Sequence, residues 1–225
     1  MPITELCRLK INEYNDNDTR YRLANDKLYE IVRMYPLHTN ADEIVTKLWI
    51  IGRTYAAAVE RRNNKDLTPG DFYYDYVAPA LMRLDENQSN ILDVKINSLR
   101  NIEEPNFENL PRILSVHKYL VDLFEELTEK EKRSLASKYL HFHLPNLFFI
   151  YDSRVSSVIT KFSGRRPHFI RFQEDCDKIY ADYCYKALLI YNEIRDNNYT
   201  DSPIRVVDNI LLRYCDEHNI ANGED

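Results

Sequence analysis

Glycine is scarce in this sequence, and this scarcity limits the folds open to it more than any other feature. Only four of the 225 residues are glycine: Gly52, Gly70, Gly164 and Gly223. Phosphate-binding loops such as the P-loop and the G-x-G-x-x-G turn need clustered glycines, because their backbone approaches the phosphate closely. Sheet proteins need glycine in their many tight turns. The sequence therefore lacks both kinds of loop and favours a fold built from helices.

The segment 40–64 shows the helical pattern most clearly. Its apolar residues recur at helical spacing from Ile44 to Val59. Asn40 is a typical N-cap, and acidic residues follow it in the first turn, where they suit the positive end of the helix dipole. We predict one continuous helix that begins after Asn40 and ends in a basic turn at Arg62.

Comparable patterns recur along the chain, and we expect about eight to ten helices and no sheet. The chain is long enough to bury a core without disulfides or metal ions. We therefore predict an all-α fold: a single globular multi-helix domain, in two helical lobes of about residues 1–127 and 128–225 with a cleft between them. Gly52 in mid-helix costs about 1 kcal/mol relative to alanine, which indicates that another helix packs closely against it.

The cellular location and the cofactor content also follow from composition. No apolar run approaches the roughly 20 residues of a membrane helix, and the first five residues lack the basic and apolar parts of a signal peptide. We therefore expect a cytoplasmic protein with no membrane partner. The four cysteines are Cys7, Cys176, Cys184 and Cys215. They form no C-x-x-C pair, so we expect free thiols, no metal site and no cofactor.

The charge balance is acidic, with a net charge of -6. Strong non-specific binding to DNA or RNA usually needs an excess of basic residues, so the overall balance argues against it. One local basic cluster remains as a candidate for contacts with nucleic-acid phosphates. Its members are Arg154, Arg165, Arg166, His168 and Arg171. An ordinary solvated loop is the alternative interpretation of the same cluster.

Residues 134–164 read SLASKYLHFHLPNLFFIYDSRVSSVITKFSG. Lys138 lies in a predicted helix, an apolar stretch follows, and Asp152 precedes a second helix that Gly164 closes. This order resembles the helix-hairpin-helix DNA glycosylase superfamily, and within it the divergent oxoguanine-glycosylase-like proteins of bacteria. The later stretch RVVDNILLRY, residues 205–214, is similar to the closing helix of that group. The resemblance covers part of the chain and implies a degenerate form of the glycosylase fold.

The resemblance implies catalytic roles for Lys138 and Asp152. A lysine in a partly desolvated pocket can attack the anomeric carbon of a sugar as a neutral amine. A carboxylate beside it can stabilise the positive charge that develops on the sugar. A solvated lysine and a purely structural helix cap are the alternatives for these two residues. His141, His143 and Tyr151 are candidates for lining a pocket near Asp152.

The glycosylase family binds the DNA backbone with a glycine-rich hairpin, and this sequence departs from that pattern. The corresponding residues 127–138 read LTEKEKRSLASK and contain no glycine. Two functions therefore remain open. The first is a divergent DNA glycosylase, with or without lyase activity, that acts on a damaged or modified base of DNA, for which the resemblance suggests a role in phage defence. The second is a non-catalytic helical module that binds a nucleotide, a protein or single-stranded nucleic acid. The sequence indicates no oligomeric state.

Overall fold

The computed structural model describes residues 3–14, 22–60, 68–167, 172, 175–195 and 202–220. These residues form α-helices and one π-helical segment, and among them the only β-type pairing is an isolated bridge between Leu84 and Asn90. The predicted all-α fold is confirmed, in one compact domain. The helices are α1 (Glu5–Asn12), α2 (Arg22–Met34), α3 (Ala41–Thr54), α4 (Pro69–Phe72), α5 (Ala78–Leu81), α6 (Ile91–Asn97), α7 (Leu110–Thr128), α8 (Arg133–His143), α9 (Ser153–Val158), α10 (Thr160–Ser163), α11 (Lys178–Ile194) and α12 (Pro203–Glu217), and the π-helical segment Tyr73–Val77 joins α4 to α5.

Helix α3 begins where the sequence predicts but ends earlier. The Asn40 side chain accepts hydrogen bonds from two backbone N–H groups of the first turn, as an N-cap should. The prediction of a helix as far as Arg62 is wrong, because α3 ends at Thr54 and Ala56 adopts a left-handed conformation with φ 51°. The chain turns back there and brings Ala58 onto Gly52. A turn of the same segment, rather than another helix, therefore makes the close contact with the glycine.

The buried apolar side chains form two clusters. The first cluster is built by α2 to α8 and includes Leu28, Ile51 and Phe124. The second cluster is built by α1, the first turn of α7, and α9 to α12, and includes Cys7 and Leu211. The expected lobe boundary near residue 127 does not coincide with these clusters, since α1 packs with the C-terminal helices and α8 packs with the N-terminal ones. Helix α7 contributes to both clusters and joins them.

The described part of the chain contains no helix that is both long enough and apolar enough to cross a membrane. The four cysteines are free thiols, and all of them are buried. Three of the four, Cys7, Cys184 and Cys215, have no exposed surface and pack in the second cluster. They therefore act as small apolar residues of the core.

We expect Gly52→Ala to lower the free energy of unfolding by about 1–3 kcal/mol, as overpacking does in well-packed cores. The added Cβ would lie 3.0 Å from the Ala58 Cα, a backbone atom that cannot move without shifting the turn. Gly70→Ala is the matched control, since its nearest contact, Thr68 Oγ1, is 3.9 Å away. Urea denaturation measures both variants. Equal stability of the two would show that the turn at Ala58 adjusts freely.

Candidate functional site

A groove of about 830 Å³ lies where α2, the end of α8 and the start of α12 meet. Its lining combines charged and aromatic side chains from segments that are far apart in the sequence. The lining residues are Asp26, Tyr29, Val32, Arg33, Pro36, Arg100, Phe142, His143, Pro145, Asn146, Ser202 and Arg205. The volume is typical of sites for small molecules. Because α2 and α8 belong to the first cluster and α12 to the second, the groove borders both.

Two arginines on the groove are exposed and have no carboxylate partner among the described residues. Arg33 donates from Nε to the backbone oxygen of Tyr29 at 3.3 Å. Arg100 donates from Nε to the side-chain oxygen of Asn97 at 2.7 Å. One acidic residue, Asp26, also lines the groove. The rim therefore carries a local positive charge in a chain whose net charge is negative.

A third arginine, Arg205, lies on the groove lining and is buried. Its Nη1 donates to Asp208 Oδ2 at 2.8 Å, one turn along α12. Its positive charge also acts on Tyr55, whose hydroxyl donates to Asn25 Oδ1 at 2.5 Å. Burial raises the pKa of Tyr55 to about 12, and the nearby guanidinium opposes that shift. Arg205 thus connects α12 of the second cluster with α2 and α3 of the first.

Aromatic rings form one wall of the groove, and a buried histidine fixes their arrangement. The rings of Tyr29 and Phe142 pack with their centroids 4.8 Å apart. His141 Nδ1 lies 2.9 Å from the backbone oxygen of Phe148, which can only accept, so Nδ1 carries the proton. His141 Nε2 therefore accepts from the Tyr29 hydroxyl at 2.7 Å. His141, a predicted pocket residue, lies behind the wall and positions Tyr29 on it.

A second hydrogen-bonded histidine, His38, lies deeper in the first cluster. Its Nδ1 donates to Asp93 Oδ1 at 2.6 Å, and its Nε2 accepts from the Tyr139 hydroxyl at 2.8 Å. Burial lowers the pKa of His38, although the Asp93 carboxylate favours its charged form. Burial raises the pKa of Asp93, but hydrogen bonds from His38 outweigh that effect and the net shift is downward. The pair is therefore an ionised carboxylate beside a neutral imidazole.

His143, another predicted pocket residue, lines the groove directly. Its ring stacks on the His38 ring with the centroids 5.1 Å apart. Both of its ring nitrogens are buried and have no hydrogen-bond partner among the described residues. Burial lowers its pKa well below the ordinary value, and the positive charges of Lys47 and Arg100 act in the same direction. The ring is therefore neutral and has one donor and one acceptor nitrogen. Neither nitrogen forms a hydrogen bond with any described residue.

Lys138 is buried between α8 and the stretch before α9, so it is not a solvated surface lysine. Its Nζ donates to Ser134 Oγ at 2.6 Å and to the backbone oxygen of Tyr151 at 2.8 Å. Acceptors at these distances stabilise the protonated ammonium. Tyr151, the third predicted pocket residue, is buried with its ring against Tyr183 and is not part of the groove lining.

Asp152 caps α9, as the sequence predicts, and accepts from the backbone N–H of Arg154 at 3.0 Å. It follows directly after the residue whose carbonyl binds Lys138. The charges of Lys138 and Asp152 both act on Asp208, which is buried and pairs with Arg205. Burial raises the pKa of Asp208, and its Oδ1 has no hydrogen-bond partner among the described residues. The buried Lys138 and the partly exposed Asp152 thus belong to one group of charges around Asp208.

The predicted basic cluster is largely neutralised where the structure describes it. Arg154 lies 3.4 Å from Asp152 and 3.2 Å from Asp216. Arg166 donates to Asp182 at 2.7 Å. Arg165 is exposed. His168 and Arg171 lie outside the described residues.

Few features of the sequence indicate the arginines of the groove. Arg33 and Arg100 are far apart in the sequence and line the same groove only in the folded chain. Arg205 and Asp208 offer a weak signal, since they are charged residues one turn apart in a helix whose other face is apolar. The arrangement as a whole can bind a ligand that has both a flat ring and a negative charge.

Comparison of the chain with protein-family models, with curated proteins and with solved structures gave no match.

The buried histidines make a prediction about stability and pH. Burial lowers the pKa of His117 and of His141 to about 3. Between the ordinary pKa of 6.5 and this value, the unfolded chain binds more protons than the folded one, so stability is lost as pH falls. Each of these two histidines should lower the free energy of unfolding by about 2 kcal/mol between pH 7 and pH 5.

Urea denaturation at several pH values between 7.5 and 5 measures this loss. The slope of the free energy of unfolding against pH gives the number of protons that unfolding takes up. We expect His117→Gln to reduce this number by about one, because glutamine does not titrate in this range. His218→Gln, the same substitution at an exposed histidine, is the matched control. The same slope in the His117 variant and the wild type would contradict the expectation.

Proposed function

We propose that the groove is a nucleotide-binding site and that the chain acts as a binding module for a nucleotide unit, either free or at the end of a single strand. One observation carries the proposal. Arg33 and Arg100 are exposed, have no carboxylate partner in the part of the chain that the structure describes, and lie on the same groove as the rings of Tyr29, Phe142 and His143. A nucleotide has the matching pair of features, a flat base and a charged phosphate.

The burial of the lining residues indicates how the proposed nucleotide is oriented in the groove. Phe142 and His143 are 2% and 7% exposed, whereas Arg33 and Arg100 are exposed. The base then lies inside, against the aromatic wall at the partly exposed ring of Tyr29, where stacking contributes roughly 1–3 kcal/mol per base. The phosphate lies at the rim, where guanidinium groups form bidentate, charge-assisted hydrogen bonds with it.

The hydrogen bonds of Lys138 favour binding over nucleophilic catalysis. An amine that attacks a sugar must be neutral and must direct its lone pair at the anomeric carbon. Lys138 Nζ instead donates to Ser134 Oγ and to the carbonyl of Tyr151. Lys138 therefore supports the fold near the groove as a buried ammonium in this proposal.

Calorimetric titration with ATP, GTP, CTP and UTP tests the binding site. We expect at least one of them to bind. Arg33→Ala and Arg100→Ala should each weaken that binding roughly tenfold to a hundredfold, because a hydrogen bond to a charged group contributes about 1.5–3 kcal/mol. Arg53→Ala, at an exposed arginine of α3 outside the groove lining, is the control. Equal weakening by Arg53→Ala, or no binding of any triphosphate to the wild type, would refute the proposal.

The adjacency of Lys138 and Asp152 favours base excision as a second candidate. Lys138 binds the carbonyl of the residue before Asp152, and both charges act on Asp208. In this candidate Asp152 stabilises the positive charge on the sugar as the glycosidic C–N bond breaks. Water adds to the anomeric carbon and gives up one proton, and the base leaves with a proton. This candidate is a DNA glycosylase without lyase activity, because in it Lys138 does not act as the nucleophile.

Duplex and single-stranded oligonucleotides with damaged and phage-type modified bases test this candidate. We expect free base to be released and no covalent adduct to be trapped by borohydride. Asp152→Asn is the informative variant, because asparagine caps helices as well as aspartate but lacks the charge. It should keep the stability of the wild type and slow release about a hundredfold. Absence of free base would remove the candidate, and an adduct lost in Lys138→Ala would restore Lys138 as nucleophile.

A further inference from the structure

His143 differs from the two other histidines of this region in what its ring nitrogens contact. His38 uses one nitrogen to donate to Asp93 and the other to accept from Tyr139. His141 likewise uses both, with Phe148 and Tyr29 as partners. Each of these two rings therefore has a tautomer fixed by the protein. His143 has two buried nitrogens and no partner for either among the described residues.

Such an arrangement is costly. A buried donor or acceptor without a partner costs about 1–3 kcal/mol, and buried polar groups in folded proteins are nearly all hydrogen-bonded. Within the described ranges, His117 and Asp208 each have one buried side-chain atom without a hydrogen-bond partner, but neither residue lines the groove. Of the described residues, only His143 lines the groove and has two buried ring nitrogens without partners. The missing partners are therefore expected from a molecule that enters the groove.

We propose that His143 is the residue that recognises the base of the bound nucleotide, by hydrogen bonds from its ring nitrogens to the edge of the heterocycle. The inference rests on the nucleotide-binding groove proposed above and names the group that distinguishes one base from another. Neither nitrogen is reached by solvent in the free protein, so the ring turns toward the groove as the base enters. The ring stays neutral, and a neutral imidazole both donates and accepts.

The neutral state has a structural cause and a consequence for recognition. The ring lies against His38, and the cationic groups of Lys47 and Arg100 oppose a further positive charge nearby. Tyr139 also packs against it, with its hydroxyl committed to His38. A cationic ring would attract any anion, whereas a neutral ring discriminates by hydrogen-bond pattern. Because no neighbour fixes its tautomer, the base that binds selects which nitrogen carries the proton.

The test compares a nucleotide with a ligand that lacks a base. The two probes are the nucleoside triphosphate that binds the wild type most tightly and inorganic tripolyphosphate, both measured by calorimetry. We expect His143→Phe to weaken the nucleotide roughly tenfold, as the loss of one or two hydrogen bonds does, and to leave tripolyphosphate unchanged. His143→Gln retains a donor and an acceptor and should recover part of the affinity.

The stability of the variant separates recognition from a structural role. Replacing a buried, unpartnered polar group by an apolar ring of similar shape should leave the Tm unchanged or raise it. A lower Tm together with equal weakening of both probes would overturn the proposal in favour of a structural role. Unchanged nucleotide affinity in His143→Phe would overturn it while leaving the binding site in place. A wild type that binds tripolyphosphate but no nucleotide would refute the proposed function itself.

Nitrogen-15 NMR of the wild-type protein gives a measurement that does not depend on the folding of a variant. The two ring nitrogens of His143 should report a mixture of tautomers in the free protein. Addition of the nucleotide should shift the spectrum to one tautomer, while tripolyphosphate should not. A His143 spectrum that the nucleotide leaves unchanged would overturn the proposal.

Discussion

The buried ion pair between Arg205 and Asp208 is the interaction on which the groove depends. Removing two charges from water is costly, and such a pair is favourable only with close geometry and further hydrogen bonds. The two residues lie one turn apart on α12, so the helix itself sets their separation. The guanidinium is then held at the groove lining and beside Tyr55. Through Arg205 and the N-cap residue Ser202, α12 takes part in a site that is otherwise lined mainly by residues from the first-cluster helices and their loops.

Local sequence features predicted much of the fold but not the point at which α3 ends. Scarce glycine and helical spacing were sufficient for an all-α structure, and Asn40 and Asp152 cap their helices as expected. The end of α3 could not be predicted, because alanines 56–58 favour helix by propensity. The chain leaves the helix there because the turn places Val59, with no exposed surface, in the first cluster. Burial of that side chain outweighs the propensity of its neighbours.

The candidate site divides in the same way between local and distant parts. Lys138 donates to the carbonyl of Tyr151, the residue before Asp152. Because Lys138 and Asp152 lie in one short segment, the sequence could indicate that they lie close together. The phosphate-contact prediction for Arg154 and Arg166 did not foresee that acidic residues of α12 and α11 approach them. No spacing pattern could indicate Arg33 and Arg100, because only folding brings them to the same groove. Charged residues are the hardest to assign from sequence, since their role depends on which opposite charges the fold brings near.

The chemistry open to each histidine of α8 depends on its hydrogen-bond partners and not on its position in the sequence. His141 and His143 lie two residues apart on α8 and therefore point to different sides of the helix. His141 bonds a carbonyl and a hydroxyl and supports Tyr29, whereas His143 packs against rings and finds no hydrogen-bond partner in the described part of the chain. In the proposed site, arginine charge supplies affinity for any phosphate-bearing ligand. A neutral ring with an unassigned proton is what such a groove requires in order to distinguish among the ligands that this charge attracts.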